Sequence, residues 1–186
     1  MTKVYLFLAN GFETIEALTV VDMLRRAGKK IVTVSIHNSK TVESAQGIKV
    51  EADATFDSLD FSDACMLVLP GGMPGTKNLD AHQGLSDLIQ QALEHDIQLA
   101  AICAAPSILG RRGILEGKKA ICYPGFEEEL KGACIVNEPV VTDGKIITSK
   151  GMGTAIAFSQ AILTALGEDA MAKELGNSIQ FSQFYE

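Results

Sequence analysis

The sequence predicts an α/β fold in which a largely parallel sheet has helices packed on both faces. Short, continuous apolar runs are typical of strands that are buried on both sides. Segments with helical periodicity lie between these runs, and strands that alternate with helices indicate a parallel sheet. The predicted strands are 3–9, 30–36, 65–69, the run that ends at Cys103, and 119–122; the predicted helices are 14–27, 79–95 and 154–166, with one or two further turns at 170–175.

The first strand and the first helix have clear boundaries. The first apolar run ends at Asn10-Gly11, which is a turn signal. The helix that follows carries Arg25 and Arg26 in its last turn, where cations complement the helix dipole. Gly28 then closes the helix, as glycine commonly does at a helix C-terminus.

Turn and cap signals define the remaining elements. Two short segments around Gln46-Gly47 predict a small antiparallel flap, and residues 140–149 predict a hairpin around Asp143-Gly144. Thr154 is the predicted N-cap of the last long helix, and Gly167 is its predicted stop.

Length and composition favour one compact soluble domain, which we expect to span residues 1–186 because no repeat, low-complexity segment or linker interrupts the chain. The net charge of −7 argues against nucleic acid and against an anionic membrane surface as partners. The N-terminal apolar run is too short for a signal peptide or a membrane span, and the scattered cysteines favour a reducing cytoplasm as the expected location. No C-x-x-C pair occurs among the cysteines, which are expected to be free thiols: Cys65, Cys103, Cys122 and Cys134.

Cys103 is the most informative residue of the sequence. An apolar run ends at this cysteine, two alanines follow, and Pro106 opens a predicted helix. The thiol should therefore lie on a tight strand-to-helix turn at the positive end of a helix dipole, where a lowered thiol pKa is expected. The turn resembles a nucleophile elbow, although Gly-x-Ser-x-Gly is absent. A buried structural cysteine is the alternative interpretation, and it applies more strongly to Cys65 and Cys122, which fall in apolar strands.

The fold class gathers further groups around Cys103. Functional sites of such sheets lie at the carboxyl ends of the strands, which makes neighbours of the loops 10–14, 70–75 and 103–104. Glu13 and Glu16 belong to the first of these loops and to the helix start beside it. A carboxyl group partly buried next to a thiolate would have a raised pKa and could act as a general acid or base.

Each of these groups also has a purely structural interpretation. Glu16 could simply complement the helix dipole at the first turn. Gly71-Gly72 could offer backbone N–H groups to an oxyanion or could only form a tight turn, and it is not a phosphate-binding loop. Neither a metal site nor a cofactor is expected, because no cluster has metal-ligand spacing and no histidine is a clear partner for Cys103: His37 is placed away from the cysteine, and His82 and His95 on a helix surface.

Four segments together resemble the ThiJ/PfpI superfamily, and within it the branch of the Parkinson-linked protein deglycase and its bacterial relatives. They are 9–16 (ANGFETIE), 69–72 (LPGG), 100–106 (AAICAAP) and 148–154 (TSKGMGT), and the resemblance spans nearly the whole chain. It implies a flavodoxin-like three-layer sandwich, as in class I glutamine amidotransferases, and a homodimer.

The resemblance also implies roles for individual residues. It makes Cys103 the reactive cysteine on its elbow and Glu16 a protonated acid hydrogen-bonded to the sulfur. The backbone N–H groups of Gly72 and Ala104 match the oxyanion site of the family. Glu13 and Tyr123 are the candidate residues around this centre.

At several positions this sequence has a different residue from members of the superfamily that it resembles. Ala104 stands where the protease and amidase-like branch has a histidine after the cysteine, and the C-terminal His-x-Glu of glutamine amidotransferases is absent. Tyr123 replaces a histidine before Pro124, which shifts proton transfer to Glu16 because tyrosine is a poor base at neutral pH. Basic residues that some relatives have near the site are changed here, with Gln46 and Lys150 at the matching positions.

The expected function is a glyoxalase III or protein deglycase that needs no cofactor. Its substrates would be 2-oxoaldehydes such as methylglyoxal, or their protein adducts, and Cys103 would form a hemithioacetal with them. The alternative is a stress protein with no turnover, in which oxidation of Cys103 by peroxide switches a dimer surface or a chaperone-like activity.

Overall fold

The computed structural model describes residues 2–181 and consists of a central sheet between two layers of helices. Residues 182–186 of the predicted domain, including Phe184 and Tyr185, lie outside the described part. The strands are β1 (Lys3–Leu8), β2 (Ile31–Ser35), β3 (Thr41–Glu43), β4 (Lys49–Glu51), β5 (Ala54–Thr55), β6 (Ala64–Leu69), β7 (Gln98–Ile102), β8 (Lys119–Ala120), β9 (Cys134–Ile135), β10 (Val140–Asp143) and β11 (Ile146–Ser149). The helices are α1 (Thr14–Arg26), α2 (Gly75–Ala81), α3 (Gln83–Glu94), α4 (Pro106–Arg111), α5 (Ala155–Ala165) and α6 (Asp169–Ser178).

The central sheet has seven strands in the order β10-β11-β7-β6-β1-β2-β5. All neighbours are parallel except β10 and β11, which form the antiparallel hairpin predicted around Asp143-Gly144. The predicted flap is also present, as the antiparallel pair β3 and β4. The α/β architecture with a mostly parallel sheet is therefore confirmed.

The apolar core lies on both faces of the sheet because alternate side chains of each strand point in opposite directions. In β1, Val4, Leu6 and Leu8 pack on one face with α1, α5 and α6, whereas Tyr5 and Phe7 pack on the other face with α3 and α4. Burial on both faces explains why the strands read as continuous apolar runs. None of the helices in residues 2–181 combines the length and apolar character of a membrane span.

Several predicted boundaries are wrong. The helix predicted at 79–95 is two helices, because His82 has extended backbone and its Nδ1 atom accepts a hydrogen bond from Leu85 N, which caps α3. The strand predicted at 119–122 ends at Ala120 and pairs with β9 rather than with the central sheet. The two-residue strand β5 carries too short a pattern to be predicted, and α6 is longer than the predicted turn or two.

The topology places three loops at one edge of the sheet. β1 lies next to β6, and β6 lies next to β7, so the loops that follow these three parallel strands meet. Glu13 N donates to Gly71 O at 2.9 Å, and Gly75 N donates to Gly11 O at 3.1 Å. Backbone hydrogen bonds thus join the loop after β1 to the loop after β6, and the loop after β7 lies next to the latter through the pairing of β6 with β7.

Candidate active site

Cys103 occupies the sharp turn between β7 and α4. Its φ angle is +65°, a left-handed conformation that non-glycine residues rarely adopt and that costs about 1–3 kcal/mol. Two hydrogen bonds maintain it: Cys103 N donates to Ser149 O at 2.9 Å, and Tyr123 N donates to Cys103 O at 2.8 Å. The side chain is only partly buried, so the turn presents an accessible thiol as the sequence predicts.

Glu16 lies in the first turn of α1 and is 1% exposed. Its Oε2 atom accepts a hydrogen bond from Gly71 N at 2.9 Å. Its Oε1 atom is buried and has no hydrogen-bond partner within the described protein. Buried polar atoms are normally paired, so this oxygen is available to a substrate, a proton or a water molecule.

Gly71 allows the carboxyl group and the cysteine to approach each other. A Cβ atom at this position would lie 2.6 Å from Cys103 Cβ and 2.6 Å from Glu16 Oε2. Any side chain here would therefore overlap both groups. The sequence predicts backbone N–H donation or a tight turn at Gly71-Gly72, but it does not reveal this requirement for space.

The Glu16 carboxyl and the Cys103 thiol both hold protons more tightly than free side chains do. Burial raises the pKa of Glu16 to about 7, against the lowering effect of hydrogen bonds with Cys103 and Gly71. Burial and then the charge of Glu16 raise the pKa of Cys103 to about 12. The expected lowering of the thiol pKa by the helix dipole is therefore wrong, because α4 is short and desolvation outweighs it.

The two groups together retain one proton at neutral pH. This proton can reside on the sulfur or on Glu16, and in the second case the sulfur is a thiolate next to a neutral acid. Because the charge of Glu16 then disappears, its repulsion of the thiolate disappears as well. A nucleophile at this site would therefore arise by proton transfer from the sulfur to Glu16 rather than from a low thiol pKa.

The backbone N–H groups of Ala104 and Gly72 donate to the sulfur and lower the pKa of Cys103, so they favour negative charge at this point. Gly72 has φ +91°, and a Cβ atom there would lie 2.4 Å from Glu13 N. Only glycine fits this position without displacing the loop. The structure therefore places both predicted oxyanion donors beside the thiol.

The candidate residues around this centre have different surroundings. Glu13 is the N-cap of α1, where its Oε1 atom accepts from Ile15 N at 3.4 Å, and its Oε2 atom accepts from Gln46 Nε2 at 3.0 Å. Tyr123 contributes its backbone N–H to the elbow, and its side chain is 50% exposed. Lys150 Nζ donates to Asn137 Oδ1 at 2.8 Å.

One histidine lies closer to the site loops than the connectivity predicts. His37 Nε2 accepts a hydrogen bond from Asn10 N at 3.0 Å, and burial lowers the pKa of His37. This contact supports the loop after β1, and nothing places the imidazole at the thiol. Within residues 2–181, no group of three or more His, Cys, Asp and Glu side chains is arranged to hold a metal ion.

The substitution Glu16→Gln is expected to change the pH dependence of stability. The pKa of Glu16 rises from 4.5 to about 7 on folding, so between these values the folded protein holds a proton that the unfolded chain has released. The free energy of unfolding should therefore fall with rising pH, by about 3 kcal/mol between pH 4 and pH 8. Urea denaturation across this range should show the fall in the native protein and not in Glu16→Gln.

The matched control for this experiment is Glu51→Gln, because Glu51 is an exposed acid on β4. This variant should keep the native pH dependence. Parallel stability curves for the native protein and Glu16→Gln would contradict a protonated, buried Glu16.

Comparisons with known proteins agree with the fold. Residues 2–165 match the DJ-1/PfpI family. Protein DJ-1 homolog B of Arabidopsis thaliana is 39% identical over 88% of this chain, but the chain spans only 38% of that relative's length. Deglycase PH1704 of Pyrococcus horikoshii is 29% identical over 80% of this chain and 89% of its own length.

A solved structure gives the same result over nearly the whole chain. The crystal structure of a mutant of the DJ-1 superfamily protein STM1931 from Salmonella typhimurium superposes with a TM-score of 0.92 at 31% identity. It covers 97% of this chain and 99% of the other, so the sandwich is of the flavodoxin-like type seen in this family. The chain belongs to the DJ-1/PfpI family.

Proposed function

We propose that this chain is a cofactor-independent enzyme of the glyoxalase III or deglycase type, which converts 2-oxoaldehydes such as methylglyoxal or their adducts on proteins. The observation that carries the proposal is the contact between a buried carboxyl group with a pKa of about 7 and an accessible cysteine on a strained turn. The relative from Pyrococcus horikoshii is named a deglycase, which is one of the two proposed types of enzyme.

The first step joins the cysteine to the aldehyde. With the shared proton on Glu16, the Cys103 thiolate attacks the aldehyde carbon, and a C–S bond forms as the C=O double bond becomes an oxyanion. The N–H groups of Gly72 and Ala104, which donate to the sulfur in the free protein, are the proposed donors to this oxyanion. Glu16 then supplies the proton that completes the hemithioacetal.

The second step moves a hydrogen along the substrate. Glu16, now ionised, removes the proton from the former aldehyde carbon as the ketone oxygen gains a proton, which gives an enediol. The former ketone carbon then gains a proton while the hydroxyl on the sulfur-bearing carbon loses one and becomes the thioester carbonyl. The product is a thioester of a 2-hydroxy acid, and water hydrolyses it to lactate and the free thiol. The balance is methylglyoxal plus water to lactate, so neither an oxidant nor glutathione is needed. A carboxyl group with a pKa near 7 can both donate and accept a proton at neutral pH.

Turnover of methylglyoxal without glutathione tests the proposal. The purified protein should consume methylglyoxal and form lactate, and Cys103→Ser should reduce the rate to the background because the covalent step is lost. Glu16→Gln should lower kcat by roughly 10²–10⁴-fold, the usual contribution of a general acid–base. Cys134→Ser is the matched control, since Cys134 is an exposed cysteine on β9, outside the loops that form the site.

Absence of turnover in the native protein would contradict the enzyme and favour the second candidate, a peroxide-responsive stress protein. The unpartnered Oε1 atom of Glu16 supports that candidate, because a protonated carboxyl can donate to an oxidised sulfur. The thiolate would take one oxygen from each of two peroxide molecules, each leaving as water, and become a sulfinate. A stable two-oxygen adduct on Cys103 without aldehyde turnover would identify this function.

We also propose that the chain forms a homodimer through the exposed side of α1. A groove of about 400 Å³ lies there, lined by Ile15, Leu18, Met23 and Ile156, and Ile15 is 47% exposed. Apolar surface of this kind is commonly covered by a partner. Light scattering should give the mass of a dimer for the native protein and of a monomer for Ile15→Asp. Leu93→Asp is the exposed control and should remain a dimer. If Ile15→Asp also remains a dimer, the interface lies elsewhere.

A further inference from the structure

A second groove lies beside the candidate active site and takes no part in the chemistry described above. It has a volume of about 360 Å³, far more than the methyl group of methylglyoxal would fill, and it is lined by Tyr123, Pro124, Lys150, Gly151, Met152 and Thr154. The groove is open to solvent on one side, and its walls come from the segment after β8 and from the turn after β11.

The groove adjoins the reacting groups through Tyr123 and Gly151. Tyr123 N donates to Cys103 O, so the tyrosine is attached directly to the elbow. A Cβ atom at Gly151 would lie 4.0 Å from Glu16 Oε1 and 3.3 Å from Tyr123 Cδ2. The bare backbone of Gly151 is therefore the boundary between the groove and the unpartnered carboxyl oxygen.

The walls of the groove are mostly apolar, and much of their surface is exposed to solvent. Tyr123 and Met152 are each 50% exposed, and Pro124 is exposed beside them. Lys150 carries the only charge among the lining residues, and its Nζ atom is already bound to Asn137 Oδ1. An aromatic ring, a proline and a methionine side chain favour a flat apolar group over a charged one.

We propose that this groove binds the substituent on the carbonyl group of the substrate, and that the preferred substituent is an aromatic ring. The inference rests on the proposed function, because it describes the substrate of the same cysteine. A ring bound between Tyr123 and Met152 would place an attached oxoaldehyde toward Glu16 and Cys103. Methylglyoxal would reach the same atoms without any contact in the groove.

Steady-state kinetics provide the first test. The kcat/KM value for phenylglyoxal should exceed that for methylglyoxal by roughly tenfold or more, the effect of burying an added apolar ring. Met152→Ala should reduce this ratio several-fold because the ring loses one wall. Leu93→Ala, a truncation of an apolar side chain that is 43% exposed on α3, is the matched control and should keep the native ratio. An equal kcat/KM for both substrates would contradict binding of the aromatic ring in the groove and would leave the proposed function in place.

A second test does not require turnover. Phenacyl bromide and bromoacetone alkylate a thiolate by the same reaction, in which the sulfur bonds to the CH₂ carbon and bromide leaves. The ratio of the two rates at Cys103, measured by peptide mass spectrometry, should be several-fold higher than the ratio at the exposed Cys134 of the same molecule. Met152→Ala should bring the two ratios closer, and Leu93→Ala should not.

The two tests separate the possible failures. Selective alkylation without turnover of either oxoaldehyde would support the groove and contradict the proposed enzyme. Turnover of the oxoaldehydes with the same alkylation ratio at Cys103 and Cys134 would support the proposed enzyme activity and contradict binding of the aromatic ring in the groove.

Discussion

The close approach of Glu16 to Cys103 is the contact on which the other features of the site depend. A carboxyl group that is 1% exposed is costly to ionise, and a thiol beside it is costly to ionise at the same time. The two groups therefore behave as one unit that retains a proton at neutral pH. Gly71 is required because any side chain at this position would overlap both groups.

The scaffold maintains this contact with backbone rather than with side chains. The elbow is fixed by hydrogen bonds to Ser149 O and from Tyr123 N, and the carboxyl group is fixed by Gly71 N. These groups come from parallel strands and the loops at their carboxyl ends, which the apolar core orders on both faces of the sheet. Backbone donors leave space at the thiol, so these hydrogen bonds do not depend on the identity of the side chains nearby.

Much of this arrangement could be predicted from the sequence because it follows from local signals. Apolar runs and turn residues predicted the sheet, and Pro106 after Cys103 predicted the elbow. The sign of the thiol pKa shift could not be predicted, because it depends on burial by segments that are distant in the sequence. The end of α2 at His82 was missed for a related reason, since a side-chain cap formed by a histidine resembles an ordinary helical position. The apolar groove beside Tyr123 also arises from two distant segments, so no local pattern marks it.

The rate of Cys103 alkylation by iodoacetamide between pH 5 and pH 9 tests the shared proton most directly. The native protein should show a rise with a midpoint near pH 7, where Glu16 and Cys103 together release their first proton. Glu16→Gln should lose this midpoint, because the variant has no carboxyl group to exchange a proton with the sulfur. Superimposable profiles for the two proteins, with a midpoint near the ordinary thiol pKa of about 8.5, would contradict the account.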